Sequence, residues 1–310
     1  EESVETEFKF WQRDYKTRAT IYLNGVTKLI EPVFSEYGGL TSAVDISNSG
    51  YIAGYSSTGL IESAQVSIET DCDGEGAPLS PIFHNLLSRN INEKYSINFP
   101  VCFLNIGGIS NITKIIKKDE KLEKNLEAFD SGPGNCMIDE WIRKNSKNNF
   151  DKNGLIAKSG KIDQLILNQI IDNFELNSFD KSLDIKDFDI SFARGLSLED
   201  GCATITNFTA YLIAKGIEYA NGSNIKPVKY LVCGGGRKNT FLIQKIKDYL
   251  LYKKNISLNS IDDYSLNGDY IESQAFGYLA IRSFLNLPIS YPKTTGCEIP
   301  TVGGILVENF

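Results

Sequence analysis

Three times in this chain an apolar run that reads as a β-strand stops abruptly on glycine: "VCFLNIGG" (101–108), "NLEAFDSGPG" (125–134) and "VKYLVCGGG" (228–236). Glycine takes positive φ without strain and leaves main-chain N–H groups uncovered. The first run turns into a second strand, "ISNITKII" (109–116), and the other two lead into helical patterns. Downstream of the second, Met137, Ile138, Trp141 and Ile142 fall at i, i+1, i+4, i+5 and make one packing stripe. Downstream of the third, Leu242, Ile246 and Tyr249 or Leu250 do the same. A helix-rich stretch fills roughly 135–222, and a last helix is expected over 271–285, before the tail "PTVGGILV". Strands alternating with helices imply an α/β fold, with a mainly parallel or mixed sheet covered by helices.

Residues 1–73 read differently. "TRATIYLNGVTKLI" (17–30) alternates around Asn24-Gly25, a hairpin signal, and "AVDISNSGYIAGYSS" (43–57) repeats the idea around Asn48, Ser49 and Gly50. No helical period of any length occurs here. Through Ala43, Asp45, Ile46, Asn48, Ser49, Gly50, Gly54, Tyr55 and Ser56 the segment resembles one unit of secreted β-repeat proteins. One unit cannot bury its faces without neighbours, so an ordinary β-meander is an equal reading.

Composition narrows the chemistry. The chain has 310 residues, enough for two domains or one two-lobed one, and its 42% hydrophobic and 23% charged residues are those of a globular protein. A net charge of -7 argues against a nucleic-acid or anionic-membrane surface. No apolar run approaches the ~20 residues of a membrane span, no leader pattern opens the chain, and the expected location is the cytoplasm. Cys72, Cys102, Cys136, Cys202, Cys233 and Cys297 stand apart, without a CxxC pair, and read as reduced core thiols; no metal ligands are expected. His84 is the one histidine, on an apolar helix pattern with Ile82, Phe83, Leu86 and Leu87, where a structural role is expected. Acid–base work therefore falls to carboxylates.

Two carboxylates stand out. Asp130 is expected at a strand's end against a glycine turn, either facing a cleft or simply capping the strand. Glu272 shares a helix face with Ala275, Phe276 and Leu279, either at the exposed helix mouth or turned toward a site. Three glycine turns after strands suit a nucleotide phosphate pocket, to which the N-termini of following helices would add attraction. None is a P-loop or a G-x-G-x-x-G motif. The lysine-rich "KIIKKDEKLEK" (114–124) reads as a solvated hairpin or loop.

Six ordered motifs, "GEGAPLSPIFH" (74–84), "LNIGGISNIT" (104–113), "FDSGPGNCMIDEW" (129–141), "KSLD..DF" (181–188), "LVCGGGRKN" (231–239) and "ESQAFGYLAIR" (272–282), resemble the anhydro-N-acetylmuramic acid kinases. The resemblance runs over residues 74–310 and implies a lobe of the actin, sugar kinase and Hsp70 type of ATPase, with a ribonuclease H-like sheet, preceded by the β-rich segment 1–73. It implies a peptidoglycan-recycling reaction in which water opens the 1,6-anhydro bridge while O6 takes the γ-phosphoryl of ATP, with Mg²⁺ on the phosphates. By motif position, Asp130 matches the base that activates water and Glu272 a partner near the substrate. Gly107, Gly108, Asn111, Gly132, Gly134, Gly234, Gly235, Gly236 and Asn239 would hold the nucleotide, and Glu75, Gly76, Ala77 and Pro78 the amino sugar. A homodimer is the implied assembly.

The departures are as specific. Residues 1–73 hold nothing like the family's first-lobe phosphate loop "M-S-G-T-S-x-D-G"; the "H-G-Q-T" and basic "R-x-x-D" stretches are absent, and Glu75 stands where the family has Gln. Two other readings stay open on these grounds: an inactive kinase-derived module joined to a β-repeat fragment, and a secreted non-enzymatic β-repeat protein.

Overall fold

The computed structural model describes residues 8–13, 16–23, 26–30, 40–46, 52–57, 78–118, 121–174, 179 and 182–304. The chain divides into two compact units: Glu1–Thr70 with Glu272–Ile289 and Thr301–Phe310, and Asp71–Ile271 with Ser290–Pro300.

In the first unit β1 (Phe8–Arg13), β2 (Lys16–Leu23) and β3 (Val26–Ile30) form an antiparallel sheet, and β4 (Leu40–Ile46) pairs with β5 (Ile52–Ser57). Both expected hairpins are present, with Leu23 opposite Val26 and Ile46 opposite Ile52. The turn residues Asn24-Gly25 and Asn48–Gly50 lie outside the described residues.

The second unit runs α1 (Pro81–Tyr95), β6 (Val101–Ile106), β7 (Ile109–Ile115), α2 (Leu122–Asn125), β8 (Leu126–Pro133), α3 (Cys136–Asn145), α4 (Leu155–Ser159), α5 (Gln164–Asn173), α6 (Leu198–Asn221), β9 (Val228–Cys233), α7 (Thr240–Tyr249) and β10 (Ile256–Ser260). Helix α8 (Ile271–Phe284) falls almost wholly in the first unit and the short α9 (Pro292–Thr295) in the second. The sheet order is β10-β9-β6-β7-β8, with β10, β9 and β6 parallel and β7 antiparallel to both neighbours. That is the ribonuclease H-like order, three meandering strands extended by two parallel ones through helical crossovers, and the expected ATPase-lobe fold is met.

Strand alternation decides which residue faces which layer. Cys102, Leu104, Ile106, Ile112, Tyr230 and Val232 join α3, α6 and α7 in one buried cluster. Phe103 points the other way and stacks on His84 of α1, ring centroids 4.7 Å apart. His84 also bonds Thr113 Oγ1 through Nδ1 at 2.8 Å. It is the expected structural histidine, and burial pushes its imidazole down to about 3. Among the described residues Cys102, Cys136, Cys202, Cys233 and Cys297 form no disulfide and are buried, and burial lifts Cys102 to about 12 and Cys136 to about 11. Cys72 lies outside the described residues. Among the described residues no helix is long and apolar enough to cross a membrane.

Candidate functional site

The glycine turns are drawn together at one end of this sheet. Gly107-Gly108 links β6 to β7, and the carbonyls of those two residues accept bonds from the turn after β8: Gly134 N to Gly108 O at 2.8 Å, Asn135 N to Gly107 O at 2.7 Å, Cys136 N to Gly108 O at 3.1 Å. The third turn leans on the same strand end, since a Cβ at Gly234 would lie 2.6 Å from Ile106 O and one at Gly236 2.2 Å from Ile106 Cγ2. Parallel β6, β8 and β9 all end here, where ligands of open α/β sheets bind.

This pairing engages amides that the sequence offered to an anion. The Gly134, Asn135 and Cys136 amides, which lead into α3, point at the Gly107 and Gly108 carbonyls, so these three serve the turn–turn contact. Gly134 is needed for that contact: an added Cβ would sit 2.2 Å from Gly107 O. Gly108 and Gly235 are different, their nearest atoms to an added Cβ being Ile185 Cδ1 at 3.7 Å and Asn135 Nδ2 at 3.9 Å. Gly134→Ala is expected to destabilise the protein by about 2–3 kcal/mol, whereas Gly235→Ala leaves stability unchanged. Urea unfolding of both variants checks the contrast, and equal midpoints would contradict it.

Asp130 is not at a strand's end as the sequence suggested. Strand β8 continues to Pro133 along the sheet edge, and its register against β7 shifts between Ser110 and Asn111. Ser110 pairs with Gly132 and Asn111 with Asp130, leaving Ser131 as the extra residue of a β-bulge, a device that re-aims neighbouring side chains. Ser131 turns toward α6, where Gly216 leaves it room, and bonds Ser110 Oγ at 2.9 Å. Asp130 is 9% exposed, and Leu183 N donates to its Oδ2 at 2.9 Å. Asn111, directly across, keeps a buried Oδ1 with no partner among the described residues.

Asp130 lines a cavity of about 520 Å³ with Pro78, Ser182, Phe129, Phe179, Tyr219 and segment 292–296. The three rings pack on one another, Phe129 edge-on to Tyr219 at 5.0 Å and Phe179 stacked on Tyr219 at 4.5 Å. Glu127 holds two ammonium groups at the cavity, Lys293 at 3.1 Å and Lys114 at 3.5 Å. Lys114 also donates to Ala220 O at 2.9 Å, so this lysine of the supposed solvated run is a site-wall residue. Sequence reasoning missed Lys114, Glu127, Lys293, Ser182 and Leu183. For the last two the "KSLD" motif was the available signal.

The remaining sequence-derived residues fall as follows. Pro78 shares the Asp130 cavity, while Glu75, Gly76 and Ala77 lie outside the described residues. Asn239 is buried and caps α7, its Oδ1 accepting from Leu242 N at 3.0 Å. Glu272 lies in the first turn of α8 with an exposed side chain, and Phe276, expected on its buried face, is 42% exposed. Among the described residues no group of three or more His, Cys, Asp or Glu is placed to hold a metal ion.

Comparison with known proteins follows the same residues. A family model described as anhydro-N-acetylmuramic acid kinase matches residues 41–308. That match begins inside the segment read as a β-repeat unit, and the repeat resemblance is not borne out. A protein named anhydro-N-acetylmuramic acid kinase from Pelagibacter ubique is 51% identical over 240 residues, 76% of this chain and 62% of its own length. One of the same name from Zymomonas mobilis is 38% identical over 237 residues, covering 76% and 60%. This chain thus spans about three fifths of the length of the curated relatives it matches. Among solved structures, the activator of 2-hydroxyisocaproyl-CoA dehydratase from Clostridium difficile with bound ADPNP matches 66% of this chain and 69% of its own at 13% identity and a TM-score of 0.38, too low to bear on fold or activity. On the family model and these relatives, the chain belongs to the anhydro-N-acetylmuramic acid kinase family.

Proposed function

We propose that this chain is an ATP-dependent kinase acting on 1,6-anhydro-N-acetylmuramic acid, with residues 74–310 carrying the lobe that holds the nucleotide and positions the water, and 1–73 a separate β-rich segment. The observation that carries the reading is the placement of Asp130: a mostly buried carboxylate next to a β-bulge, lining a cavity, in the sheet whose three glycine turns gather at one end.

Asp130 takes a proton from a water that attacks the anomeric carbon. The C1–O6 bond breaks, and O6 takes the γ-phosphoryl group, giving N-acetylmuramic acid 6-phosphate and ADP. Leu183 N fixes one oxygen of Asp130, which sets the angle of the other. The aromatic wall suits the apolar edges of a pyranose. Lys114 and Lys293 balance Glu127 and Asp130 in the cavity, and their ammonium groups are the ones that could pair with a sugar that itself bears a carboxylate. Gly108 and Gly235 leave main chain uncovered where phosphates would approach, and Asn111 would donate its amide there. Bound ATP would supply the phosphoryl group, and Mg²⁺ accompanying it would neutralise charge on its phosphates. Glu272 is proposed as a partner near the substrate. Family resemblance adds a homodimer in the cytoplasm.

The test is direct. Incubated with ATP, Mg²⁺ and the anhydro sugar, the purified chain is expected to form ADP and a sugar phosphate in equal amounts. Absence of product, together with no nucleotide binding at millimolar concentration by calorimetry, would sink the reading.

A further inference from the structure

A second charged cluster, away from the Asp130 cavity, stands directly behind the third glycine turn. Arg237, one residue past Gly236, has a side chain only 5% exposed. Its guanidinium makes three kinds of contact: Nε to Asp262 Oδ2 at 2.8 Å, Nη1 to Asp269 Oδ1 at 2.9 Å, and Nη1 to the Gly234 carbonyl at 3.1 Å. The Asp262 carboxylate is itself fixed, by Gly268 N at 2.8 Å and Ser260 Oγ at 2.9 Å. Gly268 lies flat on the guanidinium, where an added Cβ would be 2.3 Å from Nε. One side chain thus ties the turn after β9 to the segment that follows β10.

Both carboxylates are near half exposed, at 45% and 47%, and pairs of that kind add little to stability. What the planar fork does supply is direction, because its donors satisfy two carboxylates and a carbonyl in one plane. The turn needs that direction. Gly234 lies at φ +77 against the β6 end, Gly236 packs on Ile106, and Asn239 anchors the far side as the α7 cap; beyond the main-chain bonds of the turn itself, the side chain that braces it is that of Arg237.

We propose that Arg237 is a positioning residue for nucleotide binding, clamping the Gly234–Gly236 turn through Asp262 and Asp269 so that its main chain faces the ligand in one conformation. The proposal rests on the nucleotide reading of this turn given above. Lysine cannot reproduce it, having one charged atom where three donors are used.

The experiment compares wild type, Arg237→Lys and Gly268→Ala as full chains, using ADP with Mg²⁺ in calorimetry, the anhydro sugar as a second ligand, and hydrogen exchange of segment 234–239. Both variants are expected to bind ADP at least tenfold more weakly and the sugar within twofold of wild type, with faster exchange confined to 234–239 and 260–269. Variants that bind ADP within twofold of wild type overturn the proposal alone, as does an equal loss of sugar affinity. If wild type binds no nucleotide, the nucleotide reading falls. In that case, unchanged exchange at 234–239 in both variants removes the clamp as well, whereas faster exchange there retains it as a clamp on the turn.

Discussion

Asp130→Asn is expected to slow sugar-phosphate formation by about a thousandfold, within the range that a positioned general base contributes. The substitution keeps the fold. Asparagine has the same shape, and its carbonyl oxygen can still accept from Leu183 N, the bond that holds the carboxylate now. The pairing of Asp130 with Asn111 across the strands is a main-chain matter and does not depend on the side chain. ADP affinity and thermal midpoint should therefore match wild type, while turnover at saturating nucleotide and sugar collapses. A variant that retains more than a tenth of wild-type turnover would show that the proton goes elsewhere. Loss of turnover with an equal loss of stability would assign Asp130 a structural role instead.

Much of this site was legible as motif and little of it as geometry. The glycine turns could be found because glycine after an apolar run has few other uses, and their joining follows from strands that run parallel. The α3 stripe of Met137, Ile138, Trp141 and Ile142 is buried as its spacing requires. Strand β10 had no such signal: "ISLNS" is short and half-polar, and only pairing with β9 makes it a strand. The bulge at Ser131 was invisible because register belongs to two strands at once, and a one-residue shift reverses which face a side chain takes. For the same reason Asp130 looked terminal when it is internal. Lys114 was misread because charge runs are judged by their neighbours in sequence, while its true neighbours are Glu127 across the ladder and Ala220 at the end of α6. Nothing in the sequence shows that the Gly107 and Gly108 carbonyls would take the amides of Gly134, Asn135 and Cys136.

Acid should unfold this protein through His84, and the sign follows from its burial. The folded imidazole stays neutral down to about 3, whereas in the unfolded chain it takes a proton near 6.5. Below pH 6.5 the unfolded state therefore binds more protons than the folded one, and stability is lost as pH falls toward 3 at up to about 1.4 kcal/mol per pH unit. Above pH 6.5 the group contributes no slope. The cost cannot be relieved by a neighbouring carboxylate at the ring, since the contacts that hold it are the Phe103 face and the Thr113 hydroxyl, both neutral. Replacing it with a side chain that cannot titrate isolates the effect from the carboxylates that titrate in the same range. His84→Gln can still reach Thr113 but loses the stacked ring, so it should be less stable than wild type at pH 8. Below pH 6.5 its disadvantage should then shrink as pH falls, because wild type alone carries the histidine penalty. Urea unfolding of both proteins from pH 8 to pH 4 measures the difference. Two stability curves that stay parallel over that range would mean that the imidazole is protonated inside the fold, and that α1 does not pack on Phe103 as a neutral ring.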